Sequence, residues 1–266
     1  FLAPGRVPIR KPENDIRGLA PSPGWDARYD WAGFIPFAEL PRKLNPPGGT
    51  IATANNKIVP DGYRHHITSE WEAPFRARRI EALLSARDAH SVDSFKAMQA
   101  DVTSLAVRDL LPFLLNAPAV SARAAAALEL LRQWDGQMEA DRPEPLIVTA
   151  WLRQLSRLIY TDELGDVFRD AWRLRIIFLR NVLADVGGQS RWCDDVATPI
   201  RETCQQLLGQ ALEEALEDLV ERYGSDARRW RWGEAHAARS AHRTFCGTFL
   251  LGSLFDIVVP TPGDSF

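Results

Sequence analysis

Two adjacent amides are the residues of this sequence whose types and position are best suited to chemistry. Asn55 and Asn56 follow a short run of small and β-branched residues, Thr50 to Ala54, which comes after a turn rich in proline and glycine. We expect this run to be a buried strand. An asparagine at a rigid strand end offers N–H donors that can stabilise a developing oxyanion. The alternative is that Asn-Asn merely ends the strand in a turn, and the pattern alone favours that structural role.

Arg76 is the second candidate, because it stands at the start of a helix predicted from about Pro74 to Arg87. A positive side chain at a helix N-terminus opposes the helix macrodipole. An arginine in such a place usually has another partner, such as a carboxylate or a substrate group.

His65, His66 and Glu70 are candidate metal ligands, since His66 and Glu70 would share one face of a helix. Turn signals around residue 60 argue against a helix there, and no matching third ligand is evident. The sequence therefore predicts no metal site.

The cysteines Cys193, Cys204 and Cys246 are too few and too widely spaced for a zinc motif. Cys193 and Cys204 can form a bridge in an oxidising compartment, but buried or unpaired thiols are the favoured interpretation. Cys246 and His242 have the i,i+4 spacing of a nucleophilic pair. Because no orienting third group is nearby, we expect a buried thiol beside a surface histidine.

Composition places the chain among soluble globular proteins. It has 266 residues, of which 45% are hydrophobic and 25% charged, with a net charge of -3. This balance gives no general case for nucleic-acid binding. The apolar runs are too short for a membrane span, and the first residues do not read as a secretory signal.

The chain divides into three predicted segments. Residues 1–89 hold loops and strands around the candidate amides, 90–245 form a helical lobe, and 246–266 return to a sheet. Long helices are predicted over residues 162–186 and 199–223, and the β-branched residues near 257–259 predict a strand.

Several motifs of this sequence resemble those of the penicillin acylase family of N-terminal-nucleophile amidohydrolases, and they occur in the same order as in that family. The first 85 or so residues carry most of the likeness. The matching stretches are Ala3–Arg10, Pro23–Trp25, Asp30–Phe37, Leu40–Arg42, Asn45–Pro47, Ala54–Asn56, Phe75–Ile80, Met98–Val102 and Trp232–His236.

The resemblance implies an α+β fold, in which the strands of residues 28–56 and 249–266 belong to a four-layer αββα core flanked by the helical lobe. It implies catalysis through an acyl-enzyme on an N-terminal serine, whose own α-amino group is the base. By position in the motif, Asn55 is similar to the family's oxyanion asparagine, and Arg76 is similar to its active-site arginine. Asn56 would be a neighbouring support.

The chain also departs from the family pattern. It begins with Phe1, and no serine in it has the context of the nucleophile, so it is expected to be an internal piece of the β-chain and inactive alone. The resemblance implies a precursor that cleaves itself, a small α-chain partner from that precursor, and a periplasmic location. Many members bind calcium, but histidine stands near 65–66 where an aspartate ligand is expected, so calcium is not predicted.

The predicted function is hydrolysis of a linear amide, with release of an acyl chain from a penicillin-like small molecule. An acyl-homoserine lactone is the alternative substrate class in the same family. A rival from another class is a non-catalytic helical binding module. Contact between Asn55 and Arg76 would distinguish the hydrolase from the binding module, because a scaffold has no reason to bring these two side chains together.

Overall fold

The computed structural model describes residues 5–264, except for the side chains of Phe249 and Ser253. The chain forms two compact units, Phe1–Met98 and Gln99–Phe266. The predicted segment boundaries at residues 89 and 245 stay a prediction. The outer ends of the first and third predicted segments, residues 1–4 and 265–266, lie outside the described residues.

The first unit combines a small sheet, long loops and helices. Strands β1 (Pro8–Arg10) and β2 (Trp31–Phe34) pair antiparallel, with Pro8 opposite Phe34. Short 3-10 turns cover Ala27–Tyr29 and Phe37–Glu39. Helix α1 (Phe75–Ser85) begins after Pro74, which confirms the predicted helix over 74–87, and it buries Phe75 and Ala77. Helix α2 (Val92–Gln99) follows it.

The predicted strand over Thr50 to Ala54 is wrong. These residues form no strand, and Ile51 is 41% exposed. A strand needs a neighbouring backbone for its ladder of hydrogen bonds. Within the described part of this unit, the nearest such pairing is an isolated bridge between Asn56 and Glu72, two residues beyond the predicted strand. The β propensity of the run therefore does not decide its local structure.

The second unit is mostly helical, and its described residues also form one two-stranded antiparallel sheet, which gives the chain an α+β architecture dominated by helices. The sheet consists of β3 (Ala237–Ser240) and β4 (Ile257–Pro260), paired antiparallel. The helices are α3 (Leu105–Leu114), α4 (Ala122–Arg132), α5 (Glu144–Leu164), α6 (Phe168–Ala171), α7 (Ile176–Leu183), α8 (Cys204–Tyr223), α9 (Trp232–Ala235) and α10 (Phe249–Phe255).

Helices α5 and α8 form the centre of this unit. Their facing side chains are almost completely removed from water, and the Trp151 indole N–H donates to the Leu208 carbonyl at 3.0 Å. This contact satisfies the polar end of the largest buried side chain. Helix α8 starts with a capping box. The Gln206 N–H donates to the Thr203 side-chain oxygen, and the Thr203 N–H donates to the Gln206 side-chain oxygen.

Two predicted elements of this unit need correction. The helix expected over 162–186 is interrupted, because α5 ends at Leu164 and the next residue, Gly165, has a φ of +50°, which is incompatible with a right-handed helix. Residues 249–255 form α10, whereas a strand was expected, and the strand begins only at Ile257. No helix among the described residues is long and apolar enough to cross a membrane.

Cys193 and Cys204 form a disulfide, so the expectation of two thiols is wrong. Cys193 is completely buried, and Cys204 opens α8. The bridge spans a sequence separation of 11, which ties the start of α8 to the 3-10 turn Gln189–Cys193. Cys246 is free and exposed, whereas a buried thiol was expected.

We expect replacement of both Cys193 and Cys204 by serine to lower the free energy of unfolding by about 3 kcal/mol, because a cross-link of this length restricts the unfolded chain. The measurement is thermal unfolding of the full-length protein with and without a reductant. Cys246→Ser is the matched control and should melt like the wild type. Equal melting temperatures for the double variant and the wild type would contradict the bridge.

Candidate functional site

The structure brings Asn55 and Arg76 into direct contact. The Arg76 Nη2 donates to the Asn55 Oδ1 at 2.9 Å and to the Ala54 carbonyl at 3.1 Å. The contact that discriminates between the hydrolase and the scaffold hypotheses is therefore present. The catalytic role of the two residues stays a prediction.

Asn55 has a left-handed backbone, with φ of +62°. Asparagine adopts this conformation more readily than most residues with a side chain. The Asn55 carbonyl accepts from the Glu72 N–H at 3.1 Å, which joins this turn to the segment that leads into α1. Left-handed residues other than glycine are enriched at sites that need a fixed side-chain direction.

Asn56 completes the turn and contacts its own backbone. Its Oδ1 accepts from the Ala54 N–H at 3.0 Å, and its Nδ2 donates to the Lys57 carbonyl at 3.3 Å. Both groups of this amide are thus engaged locally. This geometry suits the supporting position predicted for Asn56.

The contact with Arg76 determines the orientation of the Asn55 amide. A guanidinium can only donate, so the oxygen of Asn55 must face Arg76, and the Nδ2 group occupies the other branch of the amide. Both side chains are exposed, while Phe75 and Ala77 on either side of Arg76 are buried and anchor α1. The arrangement presents a neutral N–H donor on a fixed turn, which can stabilise an oxyanion.

A second polar cluster surrounds Glu39 in the same unit. The Glu39 carboxylate accepts from the Arg64 guanidinium and from the His65 Nε2, the latter at 2.6 Å. These hydrogen bonds, with Arg64 the stronger, hold the pKa of Glu39 below its usual value of 4.5. The Tyr63 hydroxyl donates to the Glu39 backbone carbonyl at 2.9 Å.

The residues near His65 do not fit calcium. This ion takes oxygen ligands, preferably carboxylates. Here the histidines offer nitrogen, and the nearby Glu39 carboxylate is already paired with a guanidinium. The Nε2 of His66 is buried without a hydrogen-bond partner among the described residues, but it is likewise a nitrogen. In the described part of the chain, no group of three or more metal-ligating side chains is gathered.

The remaining candidates have structural contacts. His242 stacks on the Phe245 ring, with centroids 4.7 Å apart, and accepts from the Phe245 N–H at 3.3 Å. His236 stacks on Trp232 and bonds to the Thr261 carbonyl. The Glu39 cluster was not predicted from the sequence, because its members lie about 25 residues apart and have no regular spacing.

Comparison with known proteins identifies the family. The model of the penicillin amidase family matches residues 1–266. The chain belongs to the penicillin amidase family. A relative in Pseudomonas aeruginosa, named an acyl-homoserine lactone acylase, is 33% identical over 87% of this chain and 29% of its own length. A penicillin acylase proenzyme of a Pseudomonas species is 34% identical over 91% of this chain and 30% of its own length.

The family membership agrees with the fold. A thermostable penicillin G acylase from Alcaligenes faecalis superimposes with a TM-score of 0.67 over 98% of this chain and 52% of that chain. At 20% identity this likeness shows a shared fold. The present chain spans about 30% of the length of the curated relatives it matches.

We expect Asn55→Ala to open the turn locally and Asn55→Gly to preserve it. Alanine disfavours a left-handed backbone by about 1 kcal/mol, whereas glycine does not. Amide hydrogen exchange of peptides that contain the Glu72 N–H is the measurement. Exchange in Asn55→Ala should be about fivefold faster than in Asn55→Gly. Identical rates in the two variants would contradict the left-handed turn.

A pH dependence follows from the lowered pKa of Glu39. In the unfolded chain the pKa of Glu39 has its usual value of 4.5, and in the folded state it is lower. The carboxylate therefore stabilises the folded state fully above pH 4.5, and this stabilisation is lost as the pH falls through the lower pKa of the folded state. Glu39→Gln should therefore melt below the wild type near neutral pH and match it in strong acid. In an Arg64→Gln background the same substitution should have a smaller effect. A pH-independent difference between wild type and Glu39→Gln would disprove the pairing.

Proposed function

We propose that the full-length protein hydrolyses the amide bond of a small acylated amine, and that Asn55 stabilises the oxyanion of this reaction. The observation that carries the proposal is the hydrogen bond from Arg76 to the Asn55 Oδ1. The bond leaves the Nδ2 end of an exposed, conformationally fixed amide to donate to substrate. A helical binding module would gain nothing from this arrangement.

The nucleophile in this proposal is an N-terminal serine in a part of the full-length protein outside the present sequence. Its hydroxyl attacks the amide carbonyl and gives its proton to its own α-amino group. The negative charge moves to the carbonyl oxygen, where the Asn55 N–H donates to it. The C–N bond then breaks, the amine leaves with the proton, and water hydrolyses the acyl-enzyme to a carboxylic acid.

Arg76 acts in this proposal as a positioning residue. Its guanidinium accepts no hydrogen bond, and it fixes the Asn55 amide by donating to two oxygens, those of Asn55 and Ala54. A positive charge beside the amide oxygen also polarises the amide, which makes the Nδ2 protons better donors. The dipole of α1 disfavours a positive charge at the N-terminus of the helix. The two oxygens compensate, because they accept hydrogen bonds from the Arg76 guanidinium.

Substrate, partner and location are part of the same proposal. The names of the relatives favour two acyl substrates, an acyl-homoserine lactone and a penicillin, and the 33% and 34% identities do not separate them. The second relative is a proenzyme, which supports a precursor that is cut into a small α-chain and a β-chain. The disulfide between Cys193 and Cys204 supports export to an oxidising compartment such as the periplasm.

The test uses the full-length protein. We expect intact mass and N-terminal sequencing to reveal two chains, the larger beginning with serine, and hydrolysis of at least one substrate of a panel of acyl-homoserine lactones and penicillins. Asn55→Ala should lower kcat about 10²- to 10³-fold with little change in KM, because the donor acts mainly in the transition state.

Two further variants make this test specific. Arg76→Lys should lower kcat about tenfold, since the flexible lysine ammonium lacks the fixed planar directions in which the Arg76 Nη2 donates to the two oxygens. Asn116→Ala removes an exposed asparagine of the helical unit and should retain full activity. A single uncut chain without hydrolysis, or full activity in Asn55→Ala, would overturn the proposal.

A further inference from the structure

The helical unit contains a cavity that the proposed reaction does not use. It has a volume of about 620 Å³ and is lined by residues from α5, the α6 region, the end of α8 and α9. All of these lie within Gln99–Phe266. Sites for small organic molecules usually enclose about 300–1,000 Å³, so this cavity has the appropriate size.

Two arginines on one face of α5 give the cavity a positive wall. Arg153 and Arg157 are one helical turn apart and both line it. Among the described residues neither forms an ion pair, whereas Arg222 on the same wall is paired with Asp218 at 2.8 Å. The only carboxylate among the described lining residues is thus already paired, and the exposed side chains of Arg153 and Arg157 have no ion-pair partner among the described residues.

Two buried polar atoms of the lining residues have no partner. The indole Nε1 of Trp172 and the hydroxyl of Thr149 are both buried without a hydrogen bond among the described residues. A buried donor without an acceptor costs about 1–3 kcal/mol, so native proteins rarely retain one without a reason. The ring of Trp172 also lies 6.0 Å from the Arg153 guanidinium, which places an unused donor beside an unbalanced charge.

The remaining wall of the cavity is apolar and rigid. Leu146, Phe168 and Trp232 contribute to it. Trp232 is fixed by its N–H, which donates to the Gly263 carbonyl at 2.8 Å, and by a parallel stack on His236 at 4.7 Å. The His236 Nδ1 donates to the Thr261 carbonyl at 2.9 Å, so the orientation of this ring is also fixed.

We propose that this cavity binds a small amphiphilic carboxylate, with the carboxylate at Arg153, Arg157 and the Trp172 N–H and the acyl body against the apolar wall. Every unbalanced group at the polar end is a donor or can act as one, which selects an anionic acceptor. Identifying this carboxylate with an acid of the kind that amide hydrolysis releases rests on the proposed function. The binding site itself does not.

The test is calorimetric titration of the full-length protein with hexanoate. Hexan-1-ol supplies the same body without the charge, and inorganic phosphate supplies an anion without the body. We expect both to bind at least about tenfold more weakly than hexanoate. Arg153→Gln and Arg157→Gln should each weaken hexanoate binding about tenfold, and Trp172→Phe, which keeps the ring and loses the N–H, about fivefold.

The controls separate this site from the proposed reaction centre. Arg123→Gln changes an exposed arginine of α4 that does not line the cavity, and it should bind hexanoate like the wild type. Asn55→Ala should retain the binding that depends on Arg153. The two proposals can fail separately. If the protein proves to be no hydrolase, hexanoate binding should persist. If the cavity proposal is wrong, Arg153→Gln should still hydrolyse the substrate like the wild type.

Three results would each overturn the proposal. The first is equal binding of hexanoate and hexan-1-ol. The second is hexanoate binding that is the same in Trp172→Phe, Arg153→Gln and wild type. The third is absence of hexanoate binding to the wild type; a melting temperature that is then lowered in Arg153→Gln but not in Arg123→Gln would mean that an acidic segment of the full-length protein fills the cavity.

Discussion

The candidate reaction centre depends on one interaction, the contact of the Arg76 guanidinium with the oxygens of Asn55 and Ala54. A left-handed asparagine on an exposed turn would otherwise sample several side-chain directions. The guanidinium removes that freedom, because it can only donate and therefore selects the amide oxygen. The backbone bond from Glu72 to the Asn55 carbonyl then fixes the turn to the segment that leads into α1.

The placement of Arg76 also explains why α1 tolerates a charge that its dipole disfavours. The cost of a cation at a helix N-terminus is about 0.3–1 kcal/mol, and two hydrogen bonds to a charged donor more than offset it. Burial of Phe75 and Ala77 holds the helix in place independently of that charge. The proposed positioning role and the packing of α1 are thus assigned to alternate residues of the same turn.

Sequence reasoning predicted what depends on local signals and missed what depends on distant partners. The start of α1 is marked by Pro74, and the exposed charge of Arg76 was sufficient to suggest a partner. The strand over Thr50 to Ala54 was wrong because propensity cannot supply a neighbouring strand. Helix α8 begins at Cys204, five residues after the predicted Pro199, and the Thr203–Gln206 capping box was a readable signal for that start.

The disulfide and the Glu39 cluster illustrate the same limit. Nothing in the spacing of Cys193 and Cys204 decides between a bridge and two thiols, since the bridge requires their Cα atoms to approach to 5.0 Å. Glu39, Arg64 and His65 are brought together by the path of a loop that has no periodicity to read. The contact between Asn55 and Arg76 was predictable only because a resemblance identified which of several exposed polar residues to pair.

Arginine has two different roles in this chain, and the acceptors around each one distinguish them. Arg76 has acceptors in the protein, the oxygens of Asn55 and Ala54, so its charge is used to orient another side chain. Arg153 and Arg157 have no carboxylate partner among the described residues, and the unpaired indole N–H of Trp172 lies beside Arg153. A guanidinium that donates to protein oxygens positions the groups that carry them, whereas an exposed guanidinium beside a cavity with buried, unpaired donors is available to bind an acceptor from outside. The same side chain therefore points to a catalytic support in the first unit and to a binding site in the second.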